Sequence, residues 1–266
     1  MLDCYKRKIN YLRVSVTDRC NLRCTYCMPA EGVQLLPHNE ILSFDEIVDV
    51  IKYGVAHGID KVRITGGEPL VRRGIVDLIA MISQIEGIKD LAMTTNGVFL
   101  VKYAEDLAKA GLHRVNISLD TLDADKFHSI TRVGNLQDVL NGIEAAQKAG
   151  LIPIKLNCVI KKSSTEPDAQ MVAQYAKDND LQVRFIPQMD LEEGDFGIVQ
   201  GGEGGNCAIC NRLRLTADGM LKPCLFSDIA YSVRELGIEE AYNLALKNKP
   251  LSGHKNKTGK FYNIGG

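Results

Sequence analysis

Short β-branched segments alternate with longer amphipathic segments through most of the 266 residues of this chain. Between residues 11 and 189 the alternation predicts six strands: Leu12–Thr17, Val62–Thr65, Leu91–Thr95, Arg114–Leu119, Ile154–Ile160 and Gln182–Ile186. The predicted helices lie between them, near residues 44–57, 72–85, 102–110, 135–149 and 168–178. This repeated strand–helix order predicts parallel strands joined by right-handed crossovers. The expected fold class is therefore α/β, in the form of an open or partial barrel.

Local signals agree with these helix limits. Ser43 followed by Glu46 is typical of a capping box, and it predicts that the first helix begins there. Glycines stand where the helices are expected to end, a position that often needs positive φ. They are Gly58, Gly87, Gly111 and Gly150.

One face of the predicted strands is polar and partly cationic. Successive side chains of a strand point to opposite faces, so alternate residues share a face. The polar face carries Arg13, Ser15, Thr17, Arg63, Thr65, Asn116, Ser118, Asp120, Lys155 and Asn157. A parallel sheet covered by helices on both sides should be apolar on both faces. We therefore predict a barrel with its helices outside and a polar, ligand-filled lumen. The alternative, an antiparallel sheet with one solvated face, conflicts with the intervening helices.

Charge and composition exclude some classes of partner. Lys plus Arg number 32 against 33 Asp plus Glu, so no global basic field gathers nucleic acid. The first ten residues lack the apolar core of a signal peptide, and no apolar run approaches the ~20 residues that span a bilayer. We expect a cytoplasmic protein that binds neither nucleic acid nor membranes. In that reducing compartment, eight cysteines indicate metal or redox chemistry rather than disulfides.

The chain divides into three parts by composition. Residues 1–189 form the predicted barrel, and the Gly-rich residues 190–206 predict a flexible linker. Residues 207–266 are expected to form a small second module with its tail.

The first cysteine group lies in a loop after the first strand, where parallel α/β folds bind their ligands. Its members are Cys20, Cys24 and Cys27. The spacing lets a short loop place three thiolates around one iron–sulfur cubane, which leaves one iron open. Structural zinc is the alternative, but it takes four ligands and no fourth lies nearby. Cys158 shares its strand face with apolar residues, so we interpret it as a buried core residue.

The second cysteine group consists of Cys207, Cys210 and Cys224. Taken alone, it suits half of a zinc ribbon as well as an iron–sulfur cluster. Arg212 and Arg214 lie between these cysteines, and in an extended segment both side chains face the same way. Together with Arg13, Arg63 and Lys155 they predict a cationic pocket suited to phosphate.

Two motifs carry a resemblance to the radical SAM superfamily, whose members use S-adenosylmethionine (SAM). The first cysteine group, with Tyr26 before its last cysteine, resembles that superfamily's cluster motif. The segment Thr65–Pro69 resembles its GGEP motif, which binds the amino group of SAM. The resemblance implies a partial (β/α)6 radical SAM barrel with a [4Fe-4S] cluster. It also implies that Glu68 pairs with the SAM ammonium and that the second cysteine group holds an auxiliary cluster.

A closer resemblance is to the GTP 3′,8-cyclase family, which opens molybdenum cofactor biosynthesis. Its specific segments are Leu12–Cys20, Arg63–Pro69, Thr94–Gly97, Asn116–Asp120, Cys210–Arg214 and Ile264–Gly266. This resemblance implies two [4Fe-4S] clusters, SAM as cofactor and GTP as substrate. In that family a 5′-deoxyadenosyl radical removes the ribose 3′ hydrogen of GTP, and C3′ then attacks C8 of guanine, which is bound at the second cluster.

The resemblance also implies roles for individual residues. Those implied to bind SAM are Tyr26, Gly67, Glu68, Ser118 and Met189. Those implied to bind GTP are Arg13, Arg63, Thr94, Lys155, Arg212 and Arg214. The closing Gly265 and Gly266 resemble a tail that enters the active site and takes part in catalysis. The implied partners are an external electron donor, a second copy in a homodimer and, downstream, cyclic pyranopterin monophosphate synthase.

The chain departs from that family at one place. Only 17 residues separate Met189 from Cys207, where the family has several dozen more. Pro187 and Gln188 also stand where the family usually has an acidic residue and a different turn. Two alternatives therefore stay open. One is a radical SAM enzyme acting on a peptide or another nucleotide. The other is an iron–sulfur or zinc protein that serves as a sensor or scaffold.

Overall fold

A computed structural model describes residues 1–189 and 197–253 of the chain. Its strands are β1 Tyr11–Ser15, β2 Lys61–Thr65, β3 Asp90–Thr95, β4 Arg114–Ser118, β5 Lys155–Ile160, β6 Gln182–Pro187, β7 Arg212–Leu215, β8 Met220–Lys222 and β9 Tyr231–Ser232. Its helices are α1 Phe44–Ala56, α2 Ile75–Ser83, α3 Leu100–Lys109, α4 Ala124–Thr131, α5 Leu136–Lys148, α6 Pro167–Asp178, α7 Val233–Leu236 and α8 Ile238–Lys247.

The described strands form one sheet of nine, in the order β6-β5-β4-β3-β2-β1-β7-β8-β9. The pairs from β6 to β7 are parallel, and the last two pairs are antiparallel. The six strands predicted from the sequence are confirmed, and so are the helices predicted between them. This is the predicted α/β class with a partial barrel.

Helix α4 is the element of the barrel that the sequence pattern did not predict. Its eight residues are mostly polar, and only Phe127 and Thr131 are buried. Two buried residues give too narrow an apolar face for the helical period to show in the sequence. Its start carries the stronger signal, because the Asp123 carboxylate accepts from the backbone N–H groups of Asp125 and Lys126.

The core lies between the sheet and the helices. Apolar side chains of the strands, such as Leu12, Val14 and Ile64, are fully buried on the face that the helices cover. Cys158 is also fully buried there, as predicted for a small apolar residue. The capping box of α1 is confirmed, with Ser43 and Glu46 each accepting from the other's backbone N–H. The four predicted helix-end glycines all have positive φ.

The second cysteine segment extends the barrel sheet. Strand β7 pairs in parallel with β1, which sets Arg214 beside Arg13 and Arg212 beside Tyr11. The predicted limits of the three parts stay a prediction. In the described portion of the predicted linker, Gln200 forms an antiparallel bridge with Phe185 of β6, through hydrogen bonds of 3.0 and 3.1 Å. Residues 190–196 of the linker and 254–266 of the tail lie outside the described residues.

Within the described ranges, none of the helices has the length and apolar character that crossing a bilayer requires.

Candidate active site

Two adjoining cavities lie inside the barrel, the first at the carboxyl ends of the strands and the second nearer their amino ends. The first has a volume of about 240 Å³ and is lined by Cys20, Cys24 and Cys27. Four of the residues predicted to bind SAM line it as well: Tyr26, Gly67, Ser118 and Met189. The second cavity, of about 390 Å³, lies in the lumen. Thr94, Asn157 and Ile186 line both, so the two cavities share a wall.

The donor set of the first cavity suits an iron–sulfur cluster. Burial raises the pKa of the Cys20 thiol to about 11 and that of Cys24 to about 12, so thiolates there need bound cations to compensate. Cys20 Sγ accepts from the Leu22 backbone N–H at 3.4 Å and from Asn96 Nδ2 at 3.9 Å. In the part of the chain that the structure describes, no group of three His, Cys, Asp or Glu could hold a single metal ion. Three soft thiol donors on one short loop are the kind of ligand that an iron–sulfur cluster takes.

The Gly66–Gly67 pair brings the end of β2 against the cysteine loop. A Cβ on Gly67 would lie 2.4 Å from the Arg19 carbonyl oxygen, and a Cβ on Gly66 would lie 2.7 Å from that of Thr17. The Gly67 N–H donates to the Thr17 carbonyl at 2.8 Å. Only glycines allow this close backbone approach, which is the reason for the motif's residue types.

Glu68 does not line the first cavity. Its carboxylate is 1% exposed and accepts from the Leu70 N–H at 3.0 Å, the Thr95 hydroxyl at 2.8 Å and the Asn96 N–H at 2.7 Å. These bonds tie the GGEP turn to the end of β3. Burial outweighs the three hydrogen bonds and raises the pKa of Glu68 to about 7.

This pKa makes a pairing between Glu68 and the SAM ammonium testable. An ammonium favours the ionised carboxyl, so below pH 7 SAM must displace a proton from Glu68. We expect the Kd for SAM to rise toward about tenfold per pH unit as the pH falls from 7 to about 5.5. Calorimetric titration of anaerobically reconstituted protein measures this, and Glu68→Gln should make the Kd independent of pH over that range. A flat profile for the unaltered protein would exclude the pairing.

Tyr26 is held in place from the far side of the first cavity. Its hydroxyl donates to Asp120 Oδ2 at 2.8 Å, and Asp120 Oδ1 accepts from the Val159 backbone N–H at 2.8 Å. Asp120 follows β4 and Val159 lies in β5, so this pair links the cysteine loop to two strand ends. Burial raises the pKa of both Tyr26 and Asp120.

The second cavity is strongly cationic, as the polar strand face predicts. Of the residues predicted to bind GTP, those that line it are Arg13, Arg63, Thr94, Lys155 and Arg212. The Nε atoms of Arg63, Arg184 and Arg212 are buried with no hydrogen-bond partner in the described structure. Burial and neighbouring arginines push the pKa of Arg13 well below its usual value. An anionic ligand would supply hydrogen-bond acceptors to these Nε atoms and would offset the repulsion between the arginines.

Among the residues of this cavity that sequence reasoning missed are Tyr11, Lys61, Arg114 and Arg184. The ring of Tyr11 lies between two guanidinium groups, 5.7 Å from Arg63 and 5.4 Å from Arg212. Arg184 of β6 is paired in register with Asn157 of β5. The strand alternation that identified the other lumen residues could therefore have identified Arg184. Arg114 forms a bidentate ion pair with Asp90, at 2.9 and 2.5 Å, which a single strand does not reveal.

The second cysteine group forms a third, smaller cavity of about 60 Å³. Its lining includes Cys207, Cys210, Cys224, Arg212 and Arg214. Arg212 also lines the lumen, so the two cavities are neighbours, while Arg214 lies on the cysteine side. Burial lowers the pKa of Arg214 to about 10.

Two cations from other parts of the chain fix this cysteine segment. The buried Lys249 Nζ donates to the Arg212 carbonyl at 2.7 Å and to the Pro223 carbonyl at 2.6 Å. Arg7 Nη1 donates to the Cys207 carbonyl at 2.7 Å. Burial would raise the pKa of Cys210, but the charges of Lys249 and Arg212 outweigh it, so that pKa is lowered.

The last two predicted site residues, Gly265 and Gly266, lie outside the described residues. Their predicted catalytic role stays a prediction.

Two family models match this chain, the Radical SAM superfamily over residues 14–176 and Molybdenum Cofactor Synthesis C over residues 157–262. With the fold and the cysteine cavity, the first match defines a radical SAM enzyme, a class that binds a [4Fe-4S] cluster and SAM. Among solved structures, anSMEcpe with bound AdoMet has a TM-score of 0.64 at 16% identity, covering 90% of this chain and 81% of that chain. Streptococcus suis SuiB bound to S-adenosylmethionine has a TM-score of 0.62 at 17% identity, covering 98% and 71%. These likenesses concern the fold alone.

Curated relatives define the family more narrowly. The GTP 3′,8-cyclase of Thermodesulfovibrio yellowstonii is 44% identical, covering 89% of this chain and 88% of that protein. Those of Alkaliphilus oremlandii and Geobacter sulfurreducens are 44% and 43% identical, covering 94% and 88% of this chain and 93% and 86% of those proteins. The chain belongs to the GTP 3′,8-cyclase family. The Alkaliphilus alignment runs over 298 positions, more than the 266 residues here, so that relative carries residues with no counterpart in this chain.

Proposed function

We propose that this chain converts GTP to (8S)-3′,8-cyclo-7,8-dihydroguanosine 5′-triphosphate, the first step of molybdenum cofactor biosynthesis. The observation that carries the proposal is the shared wall of the two main cavities. The cavity lined by Cys20, Cys24 and Cys27 meets a cationic cavity at Thr94 and Asn157. A cofactor in the first cavity would therefore lie next to a nucleoside triphosphate in the second cavity.

The first cavity supplies the ligands and the shape for the cofactor. Cys20, Cys24 and Cys27 would hold the cluster, which when bound supplies the electron that cleaves SAM. Gly67 allows the backbone to approach the SAM amino acid, and the Asp120 carboxylate fixes Tyr26 at the cavity wall. The remaining lining excludes water, which a radical reaction requires because a carbon radical abstracts nearby hydrogens.

The lumen cations would bind the triphosphate. Cations inside a protein are costly until an anion arrives, and they then bind phosphate oxygens through charge-assisted hydrogen bonds. The cations that line the lumen and suit this are Arg13, Arg63, Lys155, Arg184 and Arg212. Holding the triphosphate at one end of the lumen would fix the ribose near the wall that the two cavities share.

We further propose that Cys207, Cys210 and Cys224 hold a second [4Fe-4S] cluster. Its support is a soft three-thiol donor set that lines one cavity and, through Arg212, adjoins the lumen. The charges of Lys249 and Arg212 lower the pKa of Cys210, which favours the thiolate form that iron binds. A cluster there would contact the guanine end of GTP.

Iron content tests the second cluster. We expect roughly eight irons per chain after anaerobic reconstitution, the content of two cubanes. Replacing Cys207, Cys210 and Cys224 together by Ala should remove about half of this iron and leave the absorbance of the first cluster. Four irons in the unaltered chain, or zinc in the second group, would contradict the proposal.

Partners follow from the chemistry. SAM cleavage consumes one electron, and the nucleotide radical left by ring closure takes up a second electron and a proton, so the reaction needs an external donor of two electrons in single steps. The cyclised nucleotide is the substrate that cyclic pyranopterin monophosphate synthase would receive. The homodimer stays a prediction.

The function itself is tested by substrate dependence. Reconstituted protein is incubated anaerobically with SAM, dithionite and either GTP or ATP, and the nucleotides are analysed by mass spectrometry. We expect 5′-deoxyadenosine and an isomer of GTP to form together, with GTP only. SAM cleavage that does not depend on GTP, with no new nucleotide, would favour a radical SAM enzyme for another substrate.

A further inference from the structure

The loop that carries Cys20, Cys24 and Cys27 is fastened to the end of α4, the helix that the sequence pattern did not reveal. The backbone N–H of Arg23 donates to the Thr131 carbonyl at 3.1 Å, and that of Thr25 donates to the Ile130 carbonyl at 2.9 Å. The last carbonyls of a helix have no partner within the helix, so they are available to accept these bonds. The cysteine loop thus completes the carboxyl end of α4.

Arg132, the residue that follows α4, binds the same loop through hydrogen bonds of its side chain. One guanidinium nitrogen, Nη1, donates to the Arg23 carbonyl at 2.6 Å and to the Met28 carbonyl at 2.9 Å. Arg23 precedes Cys24, and Met28 follows Cys27. A single charged group therefore bridges the two ends of the segment that holds two of the three thiols.

The backbone of Arg132 has a conformation that favours glycine. Its φ is 65°, and it is one of three non-glycine residues with positive φ in the described ranges. Its N–H donates to the His128 carbonyl at 2.7 Å, which ends α4. If this position served only as a turn, glycine would suit it better than arginine. An arginine held there against its backbone preference indicates that its side chain has a function.

The packing around this junction leaves little freedom. Leu22 of the cysteine loop and Phe127 of α4 are both 4% exposed. A Cβ on Gly134 would lie 3.1 Å from Leu22 Cδ2 and 2.9 Å from Phe127 Cε1, so the chain after Arg132 closes directly over both. The loop can therefore keep its shape without help from a bound cluster.

We propose that Arg132 is a positioning residue that pre-forms the cysteine loop for cluster binding. The guanidinium holds the two carbonyls that flank Cys24 and Cys27, so the thiols are arranged before iron arrives. This inference deepens the proposed function, but it rests only on cluster binding by the first cysteine group. Its tests use neither GTP nor a nucleotide product, so they can fail or succeed independently of the cyclase activity.

Hydrogen–deuterium exchange of the full-length chain without cluster tests the inference. We expect Arg132→Ala to raise the exchange rates of the Arg23 and Thr25 amides by about tenfold or more, the change expected for the loss of one or two hydrogen bonds. Arg132→Lys keeps the charge and a donor nitrogen but loses the planar guanidinium, and it should have a smaller effect. Arg73→Ala is the matched control, because Arg73 is an exposed arginine beside the GGEP segment. Amides of α5 serve as the internal reference for global unfolding.

The variant Arg132→Gly separates a side-chain role from a backbone role. It relieves the positive φ but removes the guanidinium, so we expect it to expose the loop amides as strongly as Arg132→Ala does. Both variants should also take up iron and sulfide about tenfold more slowly than the unaltered chain, as measured by the rise of cluster absorbance with time. Loop protection and cluster uptake in Arg132→Gly equal to or better than in the unaltered chain would overturn the inference.

Discussion

Replacing Cys24 by Ala is expected to abolish cluster binding at the first cysteine group and, with it, all SAM cleavage. Cys24 is the middle of three thiols that line one cavity, and a cubane left with two protein ligands is not held. We expect 5′-deoxyadenosine formation to fall by about a thousandfold or more, to the background of the assay. Iron analysis of the same sample should show loss of one cluster's iron.

Cys4→Ala is the control for this substitution. Cys4 is an exposed free cysteine that does not line the first cavity, so its loss should leave both iron content and SAM cleavage unchanged. If Cys24→Ala kept a reducible cluster and cleaved SAM, another residue would have to supply the third ligand, and the assigned site would be wrong.

Arg212→Ala is expected to have the next largest effect. Arg212 lines both the lumen and the second cysteine cavity, and its ring contact with Tyr11 orients it toward the ligand space. Removing a half-buried cation that pairs with phosphate costs about 3–4 kcal/mol, so kcat/KM for GTP should fall about 100- to 1,000-fold. Steady-state assays of the cyclised nucleotide measure the change.

The Arg212 variants also distinguish nucleotide binding from cluster damage. Arg212→Ala should keep the iron of the first cluster and still bind SAM, because the first cavity does not contain this residue. Arg212→Lys keeps the charge but loses bidentate geometry, so we expect an intermediate loss. Unchanged kinetics with GTP would argue that the lumen takes a different substrate.

Much of the barrel follows from sequence alone because its signals are local. Strand alternation, glycines at helix ends and the capping box at Ser43 each depend on a few neighbouring residues, and the structure confirms them. The parallel pairing of β7 with β1 is different, since it joins residues about 200 positions apart and leaves no local pattern. That pairing brings Arg214 beside Arg13 and makes the second cysteine segment part of the barrel sheet.

The site was predictable as far as residue types reveal chemistry. The thiols and the lumen cations carry strong signals, and they do line two adjoining cavities. Glu68 shows the limit of this reasoning. Its motif indicates a partner for an ammonium, but three donors from the β3 end and its own turn already surround the carboxylate. Whether a carboxylate faces a cavity or a turn depends on contacts between strands, which one segment does not contain.

The connection between β6 and the second cysteine group is the place where the sequence predicts a departure from the family. Its residues Val199, Gly201, Gly202 and Gly204 line the lumen. Gly201 has a φ of 78°, and a Cβ there would lie 2.6 Å from the Val183 carbonyl oxygen. Glycine is therefore required for this segment to lie against β6 and close that side of the lumen.

Isotope transfer from the substrate tests the central claim, that SAM cleavage and GTP share one enclosed space. GTP with deuterium in place of the ribose 3′ hydrogen is turned over anaerobically by the reconstituted chain, and the 5′-deoxyadenosine is analysed by mass spectrometry. We expect the 5′-deoxyadenosine to carry one deuterium taken from GTP, and the cyclised nucleotide to lack it. Unlabelled 5′-deoxyadenosine, formed while the deuterium stays in GTP, would contradict the account.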